Sequence, residues 1–144
     1  MKKENVFWSL APHDIAIFQY LTGSKPKNIK AIGSTFLQKG IPDSTLTHFH
    51  YQNDVRGHIF VSWLHPFKEQ RLVVVGDKKM AIFNDVNAFG EKLCVYSQSV
   101  EFVGTLPILK KEDPEFVDHL DTEPLREECA HFLDCIKTRN TPLT

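Results

Sequence analysis

Short apolar runs punctuated by turn-forming residues, with one helix-like stretch before them and one after, leave this chain few folds to choose from. Residues 44–52 and 56–64 flank Asn53-Asp54, two residue types that tolerate positive φ, and read as a hairpin. Residues 71–76 and 80–84 read as a second hairpin around Asp77-Lys78. Residues 28–36 alternate loosely through Ile29, Ala31 and Ile32 and suit a further strand, followed by a loop over 38–43. Residues 93–96 and 100–103 add edge strands, and a polar, proline-containing link runs from Lys110 to Asp121. A helix then starts near Pro124, with Leu125, Cys129, Phe132 and Ile136 as its apolar stripe. Strands joined by tight turns between terminal helices predict an α+β fold: a mainly antiparallel, open-faced β-sheet with helices packed on one face.

A length of 144 residues fits a single domain spanning 1–144. The formal net charge of −1 supplies no electrostatic draw towards nucleic acid or an anionic membrane. Lys2-Lys3 and Lys25, Lys27 and Lys30 read as solvated charge. No apolar run reaches the length of a membrane span, and the lysine-led start lacks the apolar core of a secretion signal. Three cysteines make an odd count without metal spacing, so reduced thiols in the cytoplasm are expected.

The segment Asn5-Val6-Phe7-Trp8-Ser9-Leu10-Ala11-Pro12-His13-Asp14-Ile15 is where chemistry is expected. Pro12 suits a first helical position, because its missing N–H has no intrahelical partner there. Asp14 would then complement the positive helix end, and Ile15, Phe18 and Leu21 continue at helical spacing to Gly23. On that reading His13 lies in the first turn, a suitable place for a proton-transfer group.

Residues 8–15 resemble the hallmark stretch Trp-Asp-Leu-Ala-Pro-His-Asp-Ile of the second domain of Gfo/Idh/MocA oxidoreductases, in the branch acting on nucleotide-linked amino sugars. Residues 58–66 and 73–80 resemble that family's central hairpins, and residues 123–133 its late helix. The resemblance runs in the family's order over nearly the whole chain. It implies a substrate-binding and oligomerisation domain of an NAD(P)-dependent sugar dehydrogenase, with a sugar or UDP-sugar substrate. By position it implies His13 as the catalytic histidine, contacting the sugar hydroxyl, with Ser9 and His13 binding substrate. Where the family carries aspartate four residues before the histidine, this chain has Ser9, which can hydrogen-bond but brings no charge.

Family members open with a nucleotide-binding domain. This chain's seven glycines are scattered and none forms the strand–Gly-x-Gly-x-x-Gly–helix unit that brings backbone against a pyrophosphate. No cofactor is therefore expected on this chain, NAD(P) is expected of an intact family member, and Lys25-Pro26 is not the family's catalytic Lys-Pro pair. The chain reads as cut at both ends and inactive alone. The alternatives are a non-catalytic dimerisation module from a truncated gene, which Ser9 favours, and a cone-shaped α+β small-ligand-binding domain.

His48, His50 and His58 suggest a metal site, but the expected hairpin register argues against one. If Asn53-Asp54 is a two-residue turn, Phe49 faces His58 and His50 faces Gly57. His48 and His50 then share one face and His58 the other, so no metal is expected. The same register puts Thr45, Thr47, Phe60 and Ser62 on a mixed face available to a second copy of the chain. It puts Leu46, Ile59, Val61 and Trp63 in the core. His119 and His131 read as surface residues.

Overall fold

A computed structural model describes residues 4–120 and 122–143. Lys2-Lys3, and Asp121 at the end of the expected polar link, lie outside the described residues. The contacts gather the chain into two compact units, residues 1–66 with 135–144, and residues 67–134.

The first unit begins with helix α1 (Val6–Thr22). Asn5 caps it, its side chain accepting a hydrogen bond from Trp8 N at 3.1 Å, which satisfies one of the amide donors a helix start leaves over. Gly23 closes it in the left-handed region, φ 59°, donating to Gln19 O. The helix thus starts about two turns before Pro12, which lies inside it. That overturns the placement of His13 in the first turn and of Asp14 at the positive end. Val6, Phe7 and Ala11 already belong to the buried stripe, so their burial outweighs the local preference for starting at proline. The cost is one backbone bond, because Pro12 has no N–H for the Trp8 carbonyl.

Three strands form the first sheet in the order β1 (Asn28–Ser34), β2 (Ser44–His50), β3 (Arg56–Ser62), all antiparallel. Helix α1 lies on one face of this sheet, where Val6, Ala11, Phe49, Tyr51, Ile59 and Val61 make the core, with Phe7, Ile15 and Phe18 packed against it. Phe18 meets Phe49 edge-on at 5.7 Å, opposite Gly57 in the cross-strand pair. The helix start is fixed by Val6 N donating to Pro42 O at 3.0 Å. Beside it, the buried Asp43 carboxylate accepts from Phe36 N and Leu37 N at 2.7 and 2.6 Å, holding the loop before β2.

The β2–β3 register differs from the expected one by a residue. Tyr51 N bonds Val55 O, leaving Gln52, Asn53 and Asp54 as a three-residue turn with Asn53 and Asp54 both at φ 57°. The pairs are therefore His48 with His58, Phe49 with Gly57, and His50 with Arg56. A one-residue slip moves every side chain of a strand to the other face relative to its partner. Thr45 and Thr47 belong to the buried face with Ile59 and Val61, while Leu46 joins Phe60 and Ser62 on the open face. His48, His50 and His58 all share that open face, contrary to expectation. Ile32, Leu46 and Phe60 form an apolar row across the three strands of the same face.

The second unit holds a five-stranded antiparallel sheet, β4 (Arg71–Val75), β5 (Lys79–Asn84), β6 (Leu93–Val103) and β7 (Leu106–Lys111) in order, with β8 (Glu115–Phe116) also pairing β6. The β4–β5 hairpin turns through Gly76–Lys79, close to expectation. Residues 93–103 are one continuous strand inside the sheet, not two edge strands, and β7 and β8 occupy part of the expected polar link. The overlooked signal is Gly104-Thr105: Gly104, at φ 65°, closes a two-residue turn between Val103 and Leu106. His119, expected on the surface, is half-buried with its ring 4.7 Å from that of Phe89. Helix α2 (Pro124–Thr138) starts where expected, and Leu125, Phe132 and Ile136 of its stripe are exposed. The α+β class with antiparallel pairing is borne out, its strands hydrogen-bonded as two sheets.

Candidate functional site

Ser9 and His13 are one helical turn apart on α1 and both are exposed. Positions i and i+4 share a helix face, so the two side chains are neighbours on the flank not used for packing. Ala11, Ile15 and Phe18 take the packed flank. The sheet thus fixes the helix while leaving Ser9 and His13 free for a ligand.

Asp14 sits beside His13 and is half-buried. Desolvation raises its carboxyl above the usual 3.8, partly offset by the attraction of His13. Burial, not a helix dipole, is thus what perturbs this residue, since α1 starts two turns earlier.

Continuing the Ser9–His13 stripe by helical steps leads to Ala16 and Tyr20. These residues, with Gln19, Gly23, Ser24, Lys25 and Leu143, line a groove of about 500 Å³. Sequence reasoning left Tyr20 unassigned and treated Lys25 as solvated loop charge. The available signal was Tyr20 at i+7 from His13, a spacing that returns to the same face. The groove offers a phenol, an amide and an ammonium to a polar ligand, beside the apolar surfaces of Ala16 and Leu143.

Among the described residues no helix opens on a glycine-rich turn. A dinucleotide cofactor needs glycine backbone at a helix start, whereas α1 is capped by Asn5 and α2 opens on Pro124. The described glycines lie elsewhere: Gly23 ends α1, Gly33 and Gly57 are inside strands, Gly76 is in the β4–β5 turn, and Gly40, Gly90 and Gly104 have positive φ in loops and turns. Among the described residues no group of three or more His, Cys, Asp or Glu is arranged to hold a metal ion.

The profile of the GFO/IDH/MocA C-terminal domain matches residues 2–82, which include α1 and the first hairpins. No curated protein matches the sequence significantly. Among solved structures, the fold is similar to UDP-N-acetylglucosamine 3-dehydrogenase GnnA from Acidithiobacillus ferrooxidans in two crystal forms. One has TM-score 0.71 over 91% of this chain and 38% of that one, the other 0.75 over 96% and 40%, both at 18% identity. It is also similar to a candidate NADPH-dependent oxidoreductase from Desulfitobacterium hafniense, with TM-score 0.59 and 18% identity over 91% of this chain and 37% of that one. The chain thus spans about two fifths of the length of these structures. At this identity the likeness establishes a shared fold.

Proposed function

This chain belongs to the Gfo/Idh/MocA oxidoreductase family, as a C-terminal domain, and from that premise we propose that it is the substrate-binding and oligomerisation domain of an NAD(P)-dependent sugar dehydrogenase. The observation that carries the reading is the Ser9–His13 pair: two polar groups on one exposed turn of a helix whose other flank is locked to a sheet. The proposed substrate class is a nucleotide-linked sugar, supported by the fold shared with a UDP-N-acetylglucosamine dehydrogenase.

The chemistry assigned to this chain is the proton half of an alcohol oxidation. A ring nitrogen of His13 accepts the proton of the carbinol hydroxyl, and Ser9 hydrogen-bonds the substrate or the imidazole. The groove lined by Tyr20 and Lys25 takes polar substituents of the sugar or of its nucleotide. The hydride acceptor is assigned to a separate nucleotide-binding domain, as membership of the family implies. The proposed setting is cytoplasmic, and no described helix is long and apolar enough to cross a membrane.

A second reading, a non-catalytic dimerisation module, is favoured by Ser9 in place of the family's aspartate. One set of variants separates the two. With a nucleotide-binding domain supplied, the protein is assayed for NAD(P)-dependent oxidation of a panel of UDP-sugars. His13→Ala is expected to lower turnover by about a hundredfold or more, the usual worth of a positioned acid–base group. Ser9→Asp is expected to keep the fold and to raise activity or move its pH profile. Unchanged turnover in His13→Ala removes the catalytic assignment; no turnover with any sugar favours the non-catalytic module.

A further inference from the structure

The corrected hairpin register creates a feature outside the α1 stripe. His48 and His58 are directly opposed across β2 and β3 on the open face, with ring centroids 6.2 Å apart and ring planes at 44°. Counting outward from the hydrogen-bonded Tyr51–Val55 pair, alternation makes positions 48 and 58 a non-hydrogen-bonded pair. In such pairs the side chains approach most closely. Both histidines are exposed.

Two imidazoles on one tetrahedral ion, with metal–nitrogen bonds of about 2.0–2.1 Å, place their ring centroids roughly 5 Å apart. The observed separation exceeds that distance by about 1 Å, and by somewhat more for the right-angled sites of Cu²⁺ and Ni²⁺, a closure that side-chain rotations supply. We propose that His48 and His58 form a two-histidine chelate for a borderline-soft divalent transition ion of the Ni²⁺, Cu²⁺ and Zn²⁺ class. The remaining coordination positions stay open to water or to an outside donor.

The surroundings decide the ligand count. His50 is on the same face but two residues along β2, about 7 Å at strand spacing. Its Nε2 lies 3.4 Å from Asp54 Oδ1 at the turn. It therefore belongs to a different pair, not to the chelate. Lys30 is paired with His48 from β1, and Arg56 with His50 from β3, and both oppose a cation. Arg56 is partly neutralised by Asp54 at 3.8 Å, and solvent screens these exposed charges. Imidazole coordination is a bonding interaction that this screened repulsion does not cancel. Hard ions such as Mg²⁺ and Ca²⁺ find no oxygen donor in the pair and are excluded.

The test uses the full chain without a polyhistidine tag, titrated near neutral pH with Ni²⁺, Cu²⁺, Zn²⁺ and Mg²⁺. Binding is read by calorimetry, and site identity by broadening of individual imidazole NMR signals with Ni²⁺. One saturable site per chain is expected, with His48 and His58 broadening first, Cu²⁺ binding more tightly than Ni²⁺, and Mg²⁺ inert. His48→Gln and His58→Gln should each weaken binding roughly tenfold or more, whereas His50→Gln should leave it within about twofold. Thermal melts without metal verify that each variant is folded. Absence of saturable binding, retention of full affinity in His48→Gln or His58→Gln, or an equal loss in His50→Gln would overturn the proposal.

Discussion

Replacing Gly57 with alanine tests how α1 is seated, and with it what fixes the candidate site. A methyl group built on Gly57 comes 2.5 Å from Phe18 Cε2 and 3.1 Å from its Cδ2 and Cζ, against roughly 3.5–4.0 Å for a comfortable carbon contact. The ring must therefore retreat by about 1 Å. It has little room, since Phe49 meets it edge-on at 5.7 Å and Val6 N is bonded to Pro42 O at the helix start. Alanine recovers roughly 0.5–1 kcal/mol of the conformational cost of glycine in a strand. Overpacking a filled core costs about 1–3 kcal/mol. A contact of 2.5 Å puts the substitution in the upper half of that range, so the steric cost wins and a net destabilisation of about 1–2 kcal/mol is expected. At about 2–4 °C per kcal/mol for a chain of this size, Tm should fall by about 2–8 °C in scanning calorimetry. Phe18→Leu in the Gly57→Ala background should recover part of the loss, giving a coupling of about 0.5–3 kcal/mol in a double-mutant cycle. An unchanged or higher Tm in Gly57→Ala, or strictly additive variants, would refute the close seating of Phe18 on Gly57.

Asp14→Asn is expected to stabilise the fold at neutral pH. Its carboxyl is raised above 3.8 by desolvation, so the folded state holds the proton more tightly and the penalty for charging it grows as pH rises through the raised value. The gain in Asp14→Asn should therefore be full above that value and vanish below about pH 3.8, the unfolded reference; urea melts across this range that show a pH-independent difference would refute the cause. Phe60→Asp should weaken self-association by placing a charge in the apolar row Ile32–Leu46–Phe60. Sedimentation velocity of wild type and variant checks this, and a monomeric wild type at high concentration counts against the open face as an interface.

Elements were more legible than registers. The strand runs around Asn53-Asp54 and Asp77-Lys78 showed in composition because turn residues and β-formers act locally. The β2–β3 register did not, because two- and three-residue turns both accept Asn53-Asp54, and the alternation of β2 is ambiguous. Thr45 and Thr47 look more solvent-suited than Leu46, yet both are buried beneath α1. The start of α1 was hidden for a related reason. Pro12 is a strong local signal, whereas the burial of Val6 and Ala11 depends on a sheet that forms more than twenty residues later. His13 and Ser9 were legible through the family stretch. Tyr20 and Lys25 were not, because a groove is a property of folded surface.

The proline inside α1 opens one rung of the helix's hydrogen-bond ladder. Ser9 lies before it and His13 after it, while the backbone bond that would tie Pro12 to the Trp8 carbonyl is absent by covalent structure. The two polar groups of the candidate site thus flank the missing backbone bond. After Pro12 the helix packs on the sheet through Ile15 and Phe18, and before it through Val6, whose N–H is bonded to Pro42 O. Packing on both sides of Pro12 thus holds the Ser9–His13 spacing where the helix's own backbone bond is missing.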